Sequence, residues 1–158
     1  MSARRDLGPG VLPYQALRAA VEDGWISAPV PFAESQFQPA SLDLRLGSTA
    51  YQLRASFLPF QRTVQERLRE KQVDFTDPGL VIDTLNLDRG AILQRGTIYL
   101  IELLEDLRLP RRIRGRCNPK STTGRLDIFT RVITDRTPRF DEVPPGYRGP
   151  LYVEVSPQ

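Results

Sequence analysis

From Leu80 to Val155 the chain repeats one pattern, a short apolar segment followed by glycine, proline or aspartate. The segments are Leu80-Val81-Ile82, Ala91-Ile92-Leu93, residues 97–104, residues 126–133 and residues 151–155. Pieces this short, punctuated at these intervals, belong to all-β sandwiches and barrels. Upstream, Ser41-Leu42-Asp43-Leu44-Arg45-Leu46 sets leucines on one face and charges on the other before Gly47, the period of a half-buried strand. Helix is confined to two places. Residues 13–24 put Tyr14, Leu17 and Val21 at i, i+3 and i+7 between a proline start and a glycine stop. Phe60, Val64 and Leu68 lie four apart and predict an amphipathic helix over 61–72. Residues 25–38 and 136–145 carry prolines without periodicity and read as loops, and residues 1–12 read as a flexible arm.

A chain of 158 residues, 40% hydrophobic and 26% charged, builds one soluble core, here assigned to residues 13–158. The longest apolar run, residues 98–104, is broken by Glu102, so no membrane span is expected. Arg4 and Arg5 have no apolar stretch behind them, which argues against a secretory signal, and the single Cys117 suits a reducing cytoplasm. The absence of histidine decides more. Zinc-dependent nucleobase deaminases hold their metal with His/Cys/Cys or three cysteines, a set this sequence cannot supply. Ser-His-Asp chemistry is excluded for the same reason. What remains is carboxylates, hydroxyls, Lys/Arg and water, with Mg²⁺ held by oxygen atoms.

Two motifs carry that chemistry. Asn118-Pro119-Lys120-Ser121-Thr122-Thr123-Gly124-Arg125 closes a run from Arg108 in which Arg108, Arg111, Arg112, Arg114, Arg116, Lys120 and Arg125 occur with no acid among them. The run reads as a solvated basic face, as a nucleic-acid patch or as a polyphosphate pocket. It holds no aromatic for base stacking, whereas hydroxyls and a glycine interleave with its cations, which favours polyphosphate. If residues 121–125 form a helical turn, Ser121 and Arg125 share a face; Arg125 is alternatively an ion-pair partner of Asp127 or Glu154. The second motif is the turn Gly146-Tyr147-Arg148-Gly149 and the strand after it, where Leu151, Val153 and Val155 share one face and Tyr152 and Glu154 the other. Glu154 faces either solvent or a pocket, and in a pocket it is suited to general acid/base work.

Taken together, these residues resemble the dCTP deaminase family, a branch of the dUTPase-like superfamily. Lys120 to Arg125 resembles that family's run of a basic residue, two hydroxyl residues, two small residues and arginine. The Glu154 strand, after glycine-aromatic-X-glycine, resembles the strand with the catalytic glutamate, and residues 38–47 look like its N-terminal signature. The wording Asn-Pro-Lys-Ser with Gly-Arg-Leu-Asp-Ile-Phe-Thr-Arg looks most like a proteobacterial subgroup whose chains are about twice as long and hold two such domains, so the C-terminus is expected to be incomplete. The resemblance implies a mainly β, dUTPase-like distorted barrel or jelly roll with one or two short helices. It also implies metal-independent conversion of dCTP to dUTP, with Glu154, Ser121 and Arg125 catalytic. Lys120, Thr122, Val132, Ile133, Thr134, Asp135, Arg136 and Tyr147 are then substrate-binding, Mg²⁺ arrives on the substrate triphosphate, zinc is absent, and the partner is a second copy in a homotrimer or pseudo-trimer with shared sites.

The sequence departs from the family pattern in a longer loop over 137–145, in Asp135 where many members have histidine, and in the missing C-terminal tail. Two rival functions stay open. One is a dUTPase, for which Asp141 is the nearest water-activating carboxylate; the other is a non-catalytic nucleotide-binding or structural domain.

Overall fold

The computed structural model describes residues 9–70 and 79–158. Helix α1 (Tyr14–Glu22) follows Pro13, whose carbonyl accepts the first helical N–H bonds from Ala16 and Leu17. It buries Ala16, Leu17 and Ala20 and ends before Gly24, which turns the chain at φ +72°. Strand β1 (Ile26–Ser27) follows, then a single 3-10 turn (Glu34–Gln36) and β2 (Leu46–Leu53). Helix α2 (Val64–Arg69) precedes β3 (Val81–Asn86) and the long central β4 (Ile98–Arg108). The order closes with β5 (Gly115–Arg116), α3 (Ser121–Arg125), β6 (Ile128–Thr134), β7 (Glu142–Val143) and β8 (Arg148–Pro157).

Five strands make an antiparallel sheet in the order β3-β2-β4-β8-β6, with β1 added to β4, and β5 pairs with β7 in a separate ladder. The expectation of a mainly β fold with short helices holds, and the main sheet is open rather than closed into a barrel. Both its faces are covered. Tyr99, Ile101, Leu103, Val132, Leu151, Val153 and Val155 pack on one side with α1 and β7. Leu100, Ile133 and Tyr152 point the other way and meet Leu53 at the end of β2 and Phe57 and Val64 from the excursion between β2 and β3. That second layer turns the Tyr152 and Glu154 face of β8 into interior.

Several boundaries differ from the sequence reading. The strand expected over residues 41–46 with a turn at Gly47 is displaced: β2 starts at Leu46 and runs through Gly47 to Leu53, and before it the backbone makes one isolated bridge, Phe37 to Leu42. Asp43 and Arg45 face partners instead of water, Lys120 and Glu105 respectively. The 61–72 helix starts at Val64 because Thr63 caps it, exchanging hydrogen bonds with Glu66 in a capping box; its expected last residues lie outside the described ones. Ala91-Ile92-Leu93 forms no strand, and Ile92 is exposed. The 136–145 loop contains β7. At the start of β2, Gly47 lies so close to β4 that a Cβ there would sit 2.6 Å from the Glu102 carbonyl oxygen, so the sheet requires glycine. Among the described residues no helix is long and apolar enough to cross a membrane.

Candidate active site

Glu154 lies in the middle of β8, opposite Leu100 of β4 on one side and Arg131 of β6 on the other. It is 2% exposed. A carboxylate so buried is tolerated only with a counter-charge and hydrogen bonds. Arg131 supplies both, but to one oxygen: its Nη2 and Nε donate to Oε1 at 2.5 and 3.1 Å. The other oxygen, Oε2, is buried and accepts no hydrogen bond from the described residues. The guanidinium is itself held in place. Nη2 also donates to Ser56 Oγ at 2.9 Å, and the ring centroid of Phe140 lies 3.9 Å from the guanidinium carbon. Ser56 and Phe140 line an open cleft of about 740 Å³ whose wall also carries Phe57, Phe60, Arg62 and Arg67.

The hydroxyl-rich loop folds as the sequence suggests, with Ser121 and Arg125 at the two ends of the single-turn helix α3. Ser121, Thr122 and Arg125 are exposed, and none of them bonds to Glu154 or Arg131. Arg125 makes no ion pair among the described residues, so neither Asp127 nor Glu154 is its partner. Lys120 is tethered: its Nζ lies 2.6 Å from Asp43 Oδ2, and that oxygen also accepts from Gln38. The cation run from Arg108 to Arg125 is exposed, and among the described residues only Lys120 and Arg116 of it are paired to acids.

The remaining predicted residues lie around the end of β6. Val132 and Ile133 put their side chains into the two cores, and Thr134 is buried with its hydroxyl bonded to Thr137 Oγ1 and the Glu142 carbonyl. Asp135 Oδ1 accepts the Val64 N–H at the start of α2 at 2.8 Å, and the Arg136 N–H donates to the Arg62 carbonyl. These bonds fasten the β2–β3 excursion across the site. Burial pushes the Asp135 carboxyl above its ordinary value, against the opposing pull of the Val64 N–H and Arg136. The Tyr147 hydroxyl donates to the Pro150 carbonyl and accepts from the Asp135 N–H, and burial raises its phenol. Asp141 turns back on β6, its Oδ1 accepting the Val132 N–H at 2.8 Å.

The chain that carries this buried Glu154 and the exposed Lys-Ser-Thr-Thr-Gly-Arg turn before it is similar to known proteins. Residues 8–158 match the family model of the 2'-deoxycytidine 5'-triphosphate deaminase (DCD) N-terminal domain. The chain belongs to this family. A crystal structure of 2'-deoxycytidine 5'-triphosphate deaminase from Agrobacterium tumefaciens superimposes with a TM-score of 0.86 at 43% identity, over 94% of this chain and 42% of that one. Among curated relatives, the dCTP deaminase, dUMP-forming, of Coprothermobacter proteolyticus is 28% identical over 80% of this chain and 60% of its own. The enzyme of the same name from Methanothermobacter thermautotrophicus is 26% identical over 92% and 68%. The chain therefore spans about two thirds or less of these relatives, and less than half of the Agrobacterium protein.

Sequence reasoning gave no role to Arg131, Ser56 or Phe140. Arg131 stands in the motif that ends in Phe-Thr-Arg, yet its meeting with Glu154 depends on the β6–β8 register, which no local pattern encodes. Ser56 and Phe140 come from loops 84 residues apart in sequence, so only the folded chain brings them to one guanidinium.

Proposed function

We propose that this domain carries the proton-transfer side of a dCTP deaminase active site. The observation that carries the reading is the buried Oε2 of Glu154, which has no hydrogen-bond partner among the described residues. Glu154 takes a proton from the water that adds to C4 of the pyrimidine ring and delivers it to N3. A second proton passes to the exocyclic amine, the C4–N bond breaks, and ammonia leaves a carbonyl at C4. A carboxylate next to a cationic group in a partly dry site is suited to such a shuttle. No zinc site is needed, and these 158 residues contain neither the histidines nor the cysteines to build one.

Ser121, Arg125, Lys120 and Thr122 act from the phosphate side. Because they do not reach Glu154 of their own chain, the reading supplies them from a neighbouring copy or repeat of the domain, in a trimer or pseudo-trimer. Mg²⁺ arrives as part of the substrate, on the triphosphate oxygens.

The product proposed is dUTP, released in the cytoplasm. The second reading, release of dUMP, is favoured by the relatives from Coprothermobacter and Methanothermobacter, each named a dUMP-forming dCTP deaminase. Against it, the Asp141 carboxylate is already engaged by the Val132 N–H. Incubating the full-length protein with dCTP and Mg²⁺, and separating products by chromatography while ammonia is measured, tests both. Ammonia with dUTP supports the reading; ammonia with dUMP and diphosphate replaces dUTP by dUMP. No ammonia from dCTP overturns the deaminase assignment.

A further inference from the structure

We propose that Arg131 is a positioning residue that fixes the rotation of the Glu154 carboxylate, holding Oε1 so that Oε2 alone exchanges protons. The inference rests on the reading of Glu154 as the proton shuttle and adds a residue to it.

Geometry separates this from an ordinary structural ion pair. Arginine satisfies a carboxylate best as a fork, with two parallel N–H bonds to two oxygens. Here Nε and Nη2 converge on Oε1 at 3.1 and 2.5 Å, and Oε2 is left buried without a donor among the described residues. A pair built for stability alone would use both oxygens, because a buried acceptor without a partner is destabilising. The one-sided grip instead leaves a defined oxygen unoccupied at the position where a proton must come and go.

The guanidinium is fixed from outside the strand pair as well. Ser56, just beyond β2, accepts from Nη2 at 2.9 Å, and Phe140, just before β7, stacks at 3.9 Å. Both residues line the 740 Å³ cleft, so the cleft wall and the carboxylate are joined through one side chain. A lysine at this position would keep the charge, but its single nitrogen could not reach Oε1 with two donors and Ser56 at once.

The test compares Arg131→Ala, Arg131→Lys, Ser56→Ala and Glu154→Gln in the full-length protein, with kcat and KM for dCTP measured separately and folding followed by circular dichroism. Misplacing a reacting group by about 1 Å costs roughly 10²-fold in rate. Arg131→Ala and Arg131→Lys are therefore expected to lose about that much in kcat, with KM within about threefold. Ser56→Ala is expected to show a smaller kcat loss of about three- to tenfold, again with KM unchanged. Millimolar guanidinium chloride should restore part of the kcat of Arg131→Ala and none of that of Glu154→Gln.

Native kcat in Arg131→Lys with loss in Arg131→Ala would overturn positioning in favour of charge alone. If the Arg131 variants fail to fold, Ser56→Ala decides, and an unchanged kcat there overturns the proposal. Activity retained by Glu154→Gln sinks the reading of Glu154 itself. An inactive Glu154→Gln beside fully active Arg131 variants sinks only the inference about Arg131.

Discussion

Arg45 closes over Glu105 where the register of β4 against β8 shifts between Glu102 and Asp106, and the two form an ion pair whose carboxylate is wholly buried. The Glu105 side chain is wholly buried; its Oε1 accepts Arg45 Nε at 2.8 Å and its Oε2 accepts the Arg45 backbone N–H at 2.9 Å. The guanidinium also bonds the carbonyls of Pro31 and Val30 and lies over Phe32, stitching the loop after β1 to the sheet. Removing Arg45 leaves the buried Glu105 carboxylate without its counter-charge. Arg45→Met should therefore destabilise the domain by about 3–5 kcal/mol, whereas Arg45→Met with Glu105→Leu should recover most of that loss. Urea unfolding of the two variants checks it, and equal midpoints would show that the pair contributes little.

Glu154→Gln is expected to abolish deamination while sparing dCTP binding. The amide keeps the shape and still accepts from Arg131, but it cannot take a proton from water. General acid/base catalysis is worth roughly 10²–10⁴-fold, and a residue that both removes and returns protons belongs at the upper end. Rate assays beside calorimetric titration with dCTP separate the two effects. A rate above about a tenth of wild type would exclude Glu154 as the shuttle. Lost binding together with lost rate would give Glu154 a structural role as the partner of Arg131.

Strands β4, β6 and β8 of the main sheet were legible as short apolar segments, and β8 also by its alternation, whereas β1 and most of β2 were not. Leu151, Val153 and Val155 against Tyr152 and Glu154 give the face assignment of β8 directly, and the structure keeps it. What the period cannot tell is what covers the second face. Phe57 and Val64 do so from an excursion whose pattern predicts a helix but not where it docks. The same gap hid Arg131, which reaches Glu154 through cross-strand register. Leu42, Leu44 and Leu46 misled in the opposite sense, since their alternation continues through a stretch that stays outside the sheet while Asp43 and Arg45 find tertiary partners.

On the phosphate side, Arg125 is exposed and without an acidic partner among the described residues, so a triphosphate would meet an uncompensated guanidinium. Charge-assisted hydrogen bonds contribute roughly 1.5–3 kcal/mol each, so Arg125→Ala should weaken dCTP binding by about tenfold or more. Deoxycytidine monophosphate, lacking the outer phosphates, should bind poorly to both proteins. Calorimetry with the two nucleotides tests this; equal affinity of the unmodified protein for both would count against a triphosphate site. Salt-sensitive binding of oligonucleotides would revive the nucleic-acid reading of the cation run.

The last expectation concerns Asp135, which binds the start of α2 through the Val64 N–H while its carboxyl is raised chiefly by burial. A carboxyl whose folded value lies above its unfolded one favours folding fully at low pH. That contribution fades as pH rises through the folded value, where the half-buried group must carry charge. Asparagine keeps an oxygen for Val64 and never ionises. Asp135→Asn should therefore match the unmodified protein in Tm near about pH 4 and exceed it near about pH 7. Thermal unfolding across that window reads the difference directly. A variant less stable at neutral pH than at acid pH, relative to the unmodified protein, would mean that the Asp135 charge stabilises the fold through Arg136, and that its attraction to Arg136 outweighs its burial.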